Sequence, residues 1–128
     1  MEKQELFAQS DVVTLHVQLS ERSRGIVGAA DLAAMKPGAF IVNTSRGPLI
    51  DQPALIAALT EGRIAGAGLD VFDEEPIPAD HPLLSCPNAL LLPHLGYVST
   101  QNYTAYFKGA VEVIEGFNAG TPVRVLTP

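Results

Sequence analysis

The stretch IVNTSRGPLID, Ile41 to Asp51, begins as an apolar run and ends in a turn that presents a guanidinium between a serine and a glycine. Its opening is too short and too β-branched for a helix and reads as a buried strand. Asp51 is a good helix N-cap, and Asp51 to Glu61 has helical period, with Leu55, Ile56 and Leu59 on one face and Gly62 as terminator. The reading is therefore strand, polar turn, helix. Working outward, the strand character of Ala39 to Asn43 recurs in DVVTLHV at Asp11 to Val17, in Ile64 to Phe72 and in Ala89 to Pro93, and Gly28 to Met35 has helical period. Four strands separated by helices predict an α/β fold with a parallel sheet. Their apolar character on both faces predicts helices on both sides, as in a doubly wound sheet. After the fourth strand, Ser99 and Thr100 offer caps for a long C-terminal helix. Along it Tyr103, Phe107, Ala110, Ile114 and Phe117 recur at spacings of four and three, a stripe that reads as core packing rather than cofactor stacking.

Composition bounds the partners. The 128 residues suit one domain, and 47% hydrophobic with 17% charged residues is ordinary for a globular protein. Fourteen acidic against eight basic residues give a net charge of −6, which repels a phosphate backbone, so nucleic acid is not expected as a partner. The apolar runs fall far short of the ~20 residues that span a bilayer, and the first residues are polar, so a cytoplasmic protein with no membrane association is expected. Cys86 is the single cysteine, and His16, His81 and His94 lie far apart without ligand spacing, so neither a disulfide nor a metal is expected.

In an open parallel sheet ligands sit at the carboxyl ends of the strands. Four such places carry polar residues: His16 and Val17, Asn43 to Gly47, Asp70 to Glu75, and His94 to Gly96. An arginine, carboxylates and a histidine on one edge suit an anionic substrate undergoing proton transfer. Arg46 can grip a carboxylate through a planar fork, with Gly47 leaving room for close approach. His94 can exchange a proton near neutrality, and a carboxylate such as Glu75 would orient it.

The runs MKPGAFIVNTSRGPLID, AGAGLDVFDEEP and LLPHLG, in that order and spacing, resemble the signatures of the D-isomer-specific 2-hydroxyacid dehydrogenase family. SDVVTLHV, ALIAALTEGRIAG and GTPVRVL extend the resemblance over nearly the whole chain. It implies a Rossmann-like fold and an enzyme that passes hydride between NAD (NADP being the alternative) and a small-molecule 2-keto or 2-hydroxy acid. By motif, Arg46 would bind the substrate carboxylate, Glu75 would support His94, and His94 would be the acid/base. Asp70 would meet the nicotinamide carboxamide, and Val17, Thr44, Ser45, Arg46, His94 and Gly96 would lie along the cofactor. Two positions depart from the family's habit: Gln18 where proline is common, and Tyr97 where small residues are.

A dinucleotide-binding half normally opens with a strand, a G-x-G-x-x-G turn at a helix N-terminus, and an acidic residue ~20 positions on. None of this is in the sequence, since GAGLD at Gly66 to Asp70 lies within a strand pattern and opens no helix. Residues 1–116 are therefore expected to form the C-terminal portion of a dinucleotide-binding domain, with 117–128 as a tail that in the family packs toward a substrate domain. The expected consequences are a fragment with weakened cofactor binding, and a homo-oligomer formed through an unpaired strand edge or the C-terminal helix. The alternative reading is a non-catalytic remnant or corepressor-like scaffold of the same fold.

Overall fold

A computed structural model describes residues 1–126. Its elements are α1 (Lys3–Gln9), β1 (Val12–Leu15), α2 (Ala29–Ala34), β2 (Phe40–Asn43), α3 (Gln52–Thr60), β3 (Gly66–Leu69), β4 (Ala89–Leu91) and α4 (Thr100–Asn118), with 3-10 turns at Gly47–Leu49 and Pro82–Ser85. The four strands form one parallel sheet in the order β1-β2-β3-β4. The chain divides into two compact units, Met1–Leu95 and the residues from Gly96 onward.

In the first unit, local chemistry sets each helix. Asp51 caps α3 by accepting from the Ala54 N–H at 3.1 Å, and Gly62, at φ +66°, ends the helix in the left-handed region that glycine tolerates. Asp31 is buried in the first turn of α2. Its Oδ2 accepts from the Gly28 N–H at 2.8 Å and pairs with Lys3 at 2.7 Å, which pins α1 to α2. The short α1 was not expected, yet its Phe7 reaches the core beside Leu32, Leu55 and Leu59, which pack on Val13, Leu15, Ile41, Ala67 and Leu69 of the sheet.

The helices of this unit share a single core with one face of the sheet. Along the strands buried residues alternate with Val12, Phe40 and Leu90, exposed at 57%, 48% and 66%. The expectation of apolar strands covered on both sides is therefore met on one face only within Met1–Leu95. A strand order that never reverses accounts for this, because successive right-handed crossovers in one direction lay every connection on the same side.

The strands are shorter than predicted, at one end or both, and at the carboxyl edge they stop together. Asn43 ends β2, opposite Leu15 of β1 and Leu69 of β3, so both neighbours lose their ladder partner at that residue. Val71 and Phe72 remain buried without being strand.

The second unit carries α4, capped by Ser99 Oγ accepting from the Asn102 N–H at 3.2 Å. Its stripe corrects the core-packing expectation. Tyr103, Phe107, Ile114 and Phe117 are exposed, Phe117 at 75%, because among the described residues this unit holds no second helix or strand to cover them. Among the described residues no helix is long and apolar enough to cross a membrane.

Candidate active site

The candidate side chains stand in the turns and loops that follow the parallel strands. After β4 the chain turns sharply, and His94 takes the left-handed backbone at φ 57°, a conformation that costs a non-glycine residue about 1–2 kcal/mol. The turn is held by Asp70, one residue beyond β3 and 3% exposed, whose Oδ1 accepts from the Leu95 N–H at 2.7 Å. A buried carboxylate on a backbone amide is a strong, charge-assisted tie, and it offsets the strain at His94.

The tie brings the imidazole to Glu75. His94 Nδ1 lies 2.7 Å from Glu75 Oε2, while Glu75 Oε1 accepts from the Phe72 N–H at 2.9 Å. Both carboxylate oxygens are thereby engaged, one by the ring and one by the backbone. Partial burial pushes the Glu75 carboxyl up, but the bonds from His94 and the Phe72 N–H, with the charges of His94 and Arg46, outweigh it and hold Glu75 below its ordinary value. Phe72, Pro76, Ile77 and Pro93 complete an apolar cavity of about 380 Å³ against the pair.

Arg46 sits in the turn after β2, exposed, with Nη1 donating to the Ser45 carbonyl at 2.6 Å. The turn is packed against the loop that carries Glu75: a methyl at Gly47 would overlap the Phe72 carbonyl. Glycine is required there by close approach rather than by its φ. Arg46 also borders a second cleft, about 500 Å³, between the ends of β1 and β2, lined by His16, Val17, Gln18, Leu19, Thr44 and Ser45. Ser45 commits its hydroxyl to the Leu15 carbonyl at 2.7 Å, and His16 Nε2 lies 3.0 Å from Thr14 Oγ1.

Of the residues singled out from sequence, Glu75 and His94 thus touch each other. Val17, Thr44, Ser45 and Arg46 share the second cleft, Asp70 lies beneath the His94 turn, and Gly96 follows Leu95 as the first residue of the second unit. Two contributors were not assigned. The Phe72 N–H has no sequence signature. Asn43 does: it is a polar residue closing an apolar strand, 1% exposed, with its amide bonded on both sides to the Arg46 turn.

A parallel sheet wound in one direction carries, at its carboxyl edge, an imidazole paired with a carboxylate and an arginine in the neighbouring turn, groups whose chemistry suits proton exchange and the holding of an anion. Residues 1–96 match the D-isomer specific 2-hydroxyacid dehydrogenase, NAD binding domain, and the chain belongs to that family. It is 42% identical over 126 residues to the hydroxypyruvate reductase of Blautia hydrogenotrophica, covering 98% of this chain and 39% of that protein. Its identity to the glyoxylate reductase of Korarchaeum cryptofilum is 45% over 117 residues, 91% of this chain and 35% of that one. Among solved structures, the D-lactate dehydrogenase of Lactobacillus jensenii with NAD+ superposes with a TM-score of 0.88 at 26% identity, over 100% of this chain and 42% of that one. The chain spans about two fifths of the length of the relatives it matches.

Proposed function

We propose that this chain supplies the catalytic edge of an NAD(H)-dependent oxidoreductase that interconverts small 2-keto and 2-hydroxy acids. The observation that carries the reading is the contact of His94 Nδ1 with a Glu75 carboxylate that is itself fixed by the Phe72 N–H. That contact occupies one ring nitrogen and fixes the orientation of the other, Nε2, which is the arrangement a general acid/base needs.

Arg46 is the substrate clamp in this reading. Its guanidinium meets the carboxylate of the keto acid through a two-pronged fork, exchanging the Ser45 carbonyl for a charged acceptor. His94 holds a proton at Nε2 and gives it to the keto oxygen during reduction, then takes it back from the hydroxyl in the reverse direction. Glu75 stays ionised and balances the imidazolium.

The residues present fit a nicotinamide cofactor at one end. The cleft between β1 and β2 has an apolar side, Val17 and Leu19, and a polar side, Thr44, Ser45 and Arg46, as a ring-bearing polar ligand requires. Val17, Thr44 and Ser45 would line the cofactor. Asp70 would take the carboxamide, and His94 would border the ring. When bound, the cofactor supplies hydride at C4 for transfer to C2 of the substrate. No G-x-G-x-x-G turn occurs among these 128 residues, so the residues of the cleft contribute orientation more than affinity.

The test is turnover of glyoxylate and related 2-keto acids at millimolar NADH. His94→Ala is expected to lower the rate by about 100-fold or more with little change in cofactor affinity. A variant that turns over at the wild-type rate refutes the acid/base assignment.

A further inference from the structure

We propose that Asn43 is a positioning residue for Arg46: its side-chain amide builds the turn that aims the guanidinium. The proposal rests on Arg46 being the carboxylate clamp and adds what holds that clamp in place.

Asn43 is the last residue of β2, in register with Leu15 on one side and Leu69 on the other, and its own carbonyl accepts from the Asp70 N–H at 3.0 Å. Its backbone is therefore fixed by both neighbouring strands. From that fixed point the side chain reaches forward. Nδ2 donates to the Arg46 carbonyl at 2.8 Å and Oδ1 accepts from the Ser45 N–H at 3.0 Å. One planar amide thus replaces the ladder partners that residues 45 and 46 lack beyond the strand end, as Asn side chains do when they mimic a backbone turn. The two bonds also settle which way the amide faces, because the flipped group would set N–H against N–H and oxygen against oxygen.

The site tolerates few other residues. Aspartate could accept from Ser45 but could not donate to the Arg46 carbonyl, and serine is too short to reach both. Leucine would fill the volume but leave the Ser45 N–H without its acceptor and the Arg46 carbonyl with the Leu49 N–H alone, beside a position only 1% exposed. Ser45 Oγ on the Leu15 carbonyl and Gly47 against Phe72 hold the turn at its two flanks. The Asn43 amide is the bond that spans it.

The test is a double-mutant cycle with Asn43→Ala, Arg46→Ala and both together, using glyoxylate as the probe at millimolar NADH. Asn43→Ala is expected to lower kcat/KM about tenfold, mainly through KM, as loss of a turn-closing hydrogen bond allows. In the Arg46→Ala background it is expected to add less than about twofold, since the residue it positions is gone. Independent losses that multiply would overturn the proposal. A second measurement needs no turnover: amide exchange at Ser45 and nitrogen relaxation at Arg46 Nε. Asn43→Ala is expected to speed Ser45 exchange about tenfold and loosen Arg46, whereas Asn43→Asp, which keeps the acceptor, leaves Ser45 within about threefold of wild type. Unchanged exchange and relaxation in Asn43→Ala would overturn the brace. Wild-type protein that turns over no keto acid but shows these changes keeps the brace and removes the function assigned to Arg46.

Discussion

Replacing Glu75 by glutamine keeps the side chain's shape and removes its charge, so it isolates what the carboxylate does for His94. In the folded chain Glu75 Oε1 takes the Phe72 N–H and Oε2 meets His94 Nδ1 at 2.7 Å. A glutamine can still give its carbonyl oxygen to Phe72. Its amide then faces Nδ1 with N–H, so the ring must accept there and carries its only proton on Nε2. Proton delivery from such a ring would leave an imidazolate, which is prohibitive; delivery needs the imidazolium, and that form now meets an N–H where it had a carboxylate.

The size of the loss follows from the geometry and the exposure. A hydrogen bond to a charged group contributes about 1.5–3 kcal/mol, and with the His94 and Glu75 side chains 38% and 35% exposed, solvent screening puts this pair at or below the lower end. About 1.4 kcal/mol is a tenfold change in rate. The expected outcome is that Glu75→Gln reduces glyoxylate about tenfold more slowly at neutral pH, followed by NADH absorbance, with KM for the keto acid little changed because Arg46 is untouched. A rate within twofold of wild type would mean that the contact is a surface pairing with no part in proton transfer.

The same carboxylate has a signature in stability. Glu75 is held below its ordinary value in the folded chain, so its contribution is fully present above the usual carboxylate range and is lost as pH falls through the lowered folded value. Denaturant melts from pH 7 down to about pH 3 should show wild type losing its advantage over Glu75→Gln below about pH 5, by less than about 1 kcal/mol given the exposure; a constant difference between the two proteins contradicts this. Gly47→Ala should lower stability by about 1–3 kcal/mol, because its methyl overlaps the Phe72 carbonyl, and an unshifted denaturation midpoint would show that the two turns yield freely. NADH titrated into the 128-residue polypeptide and followed by fluorescence should not saturate at micromolar concentration, and saturation there would show that the β1–β2 cleft holds the dinucleotide without a pyrophosphate cradle.

The strand-turn-helix units were legible because each is announced locally. Apolar runs stop at a polar residue, and Asp51 and Gly62 bracket α3 with side-chain and backbone chemistry that needs no distant partner. Strand length was not legible, since it is set across the sheet: β3 stops at Leu69 because β2 stops at Asn43, although Val71 and Phe72 continue the apolar pattern. The fate of the α4 stripe was equally hidden. Periodicity shows which residues share a face, but not whether anything covers that face, and Phe107 and Phe117 are exposed.

At the site, residue types were readable and their ties were not. Arg46, Glu75 and His94 could be chosen for what their side chains do, and the dyad's 2.7 Å contact joins two of them across nineteen positions of sequence. What fixes them is carried by backbone groups, and a sequence does not display where those go. The Phe72 N–H on Glu75, the Leu95 N–H on Asp70 and the Ser45 N–H on Asn43 are such bonds.

Two of those three bonds share a rule. In each, a polar side chain at or just past the end of a parallel strand, Asn43 or Asp70, accepts from a backbone amide that the ladder no longer serves. Asn43 and Asp70 sit side by side on β2 and β3 extended, joined by the Asp70 N–H to the Asn43 carbonyl, and each braces one turn: that of Arg46 for the first, that of His94 for the second. The sheet's parallel pairing brings both braces to one edge, and the rigidity of the ladder passes to side chains that are themselves partly exposed. Solvent access and fixed aim are therefore compatible here, because the order resides in the buried Asn43 amide and Asp70 carboxylate one step behind the groups proposed to meet the substrate.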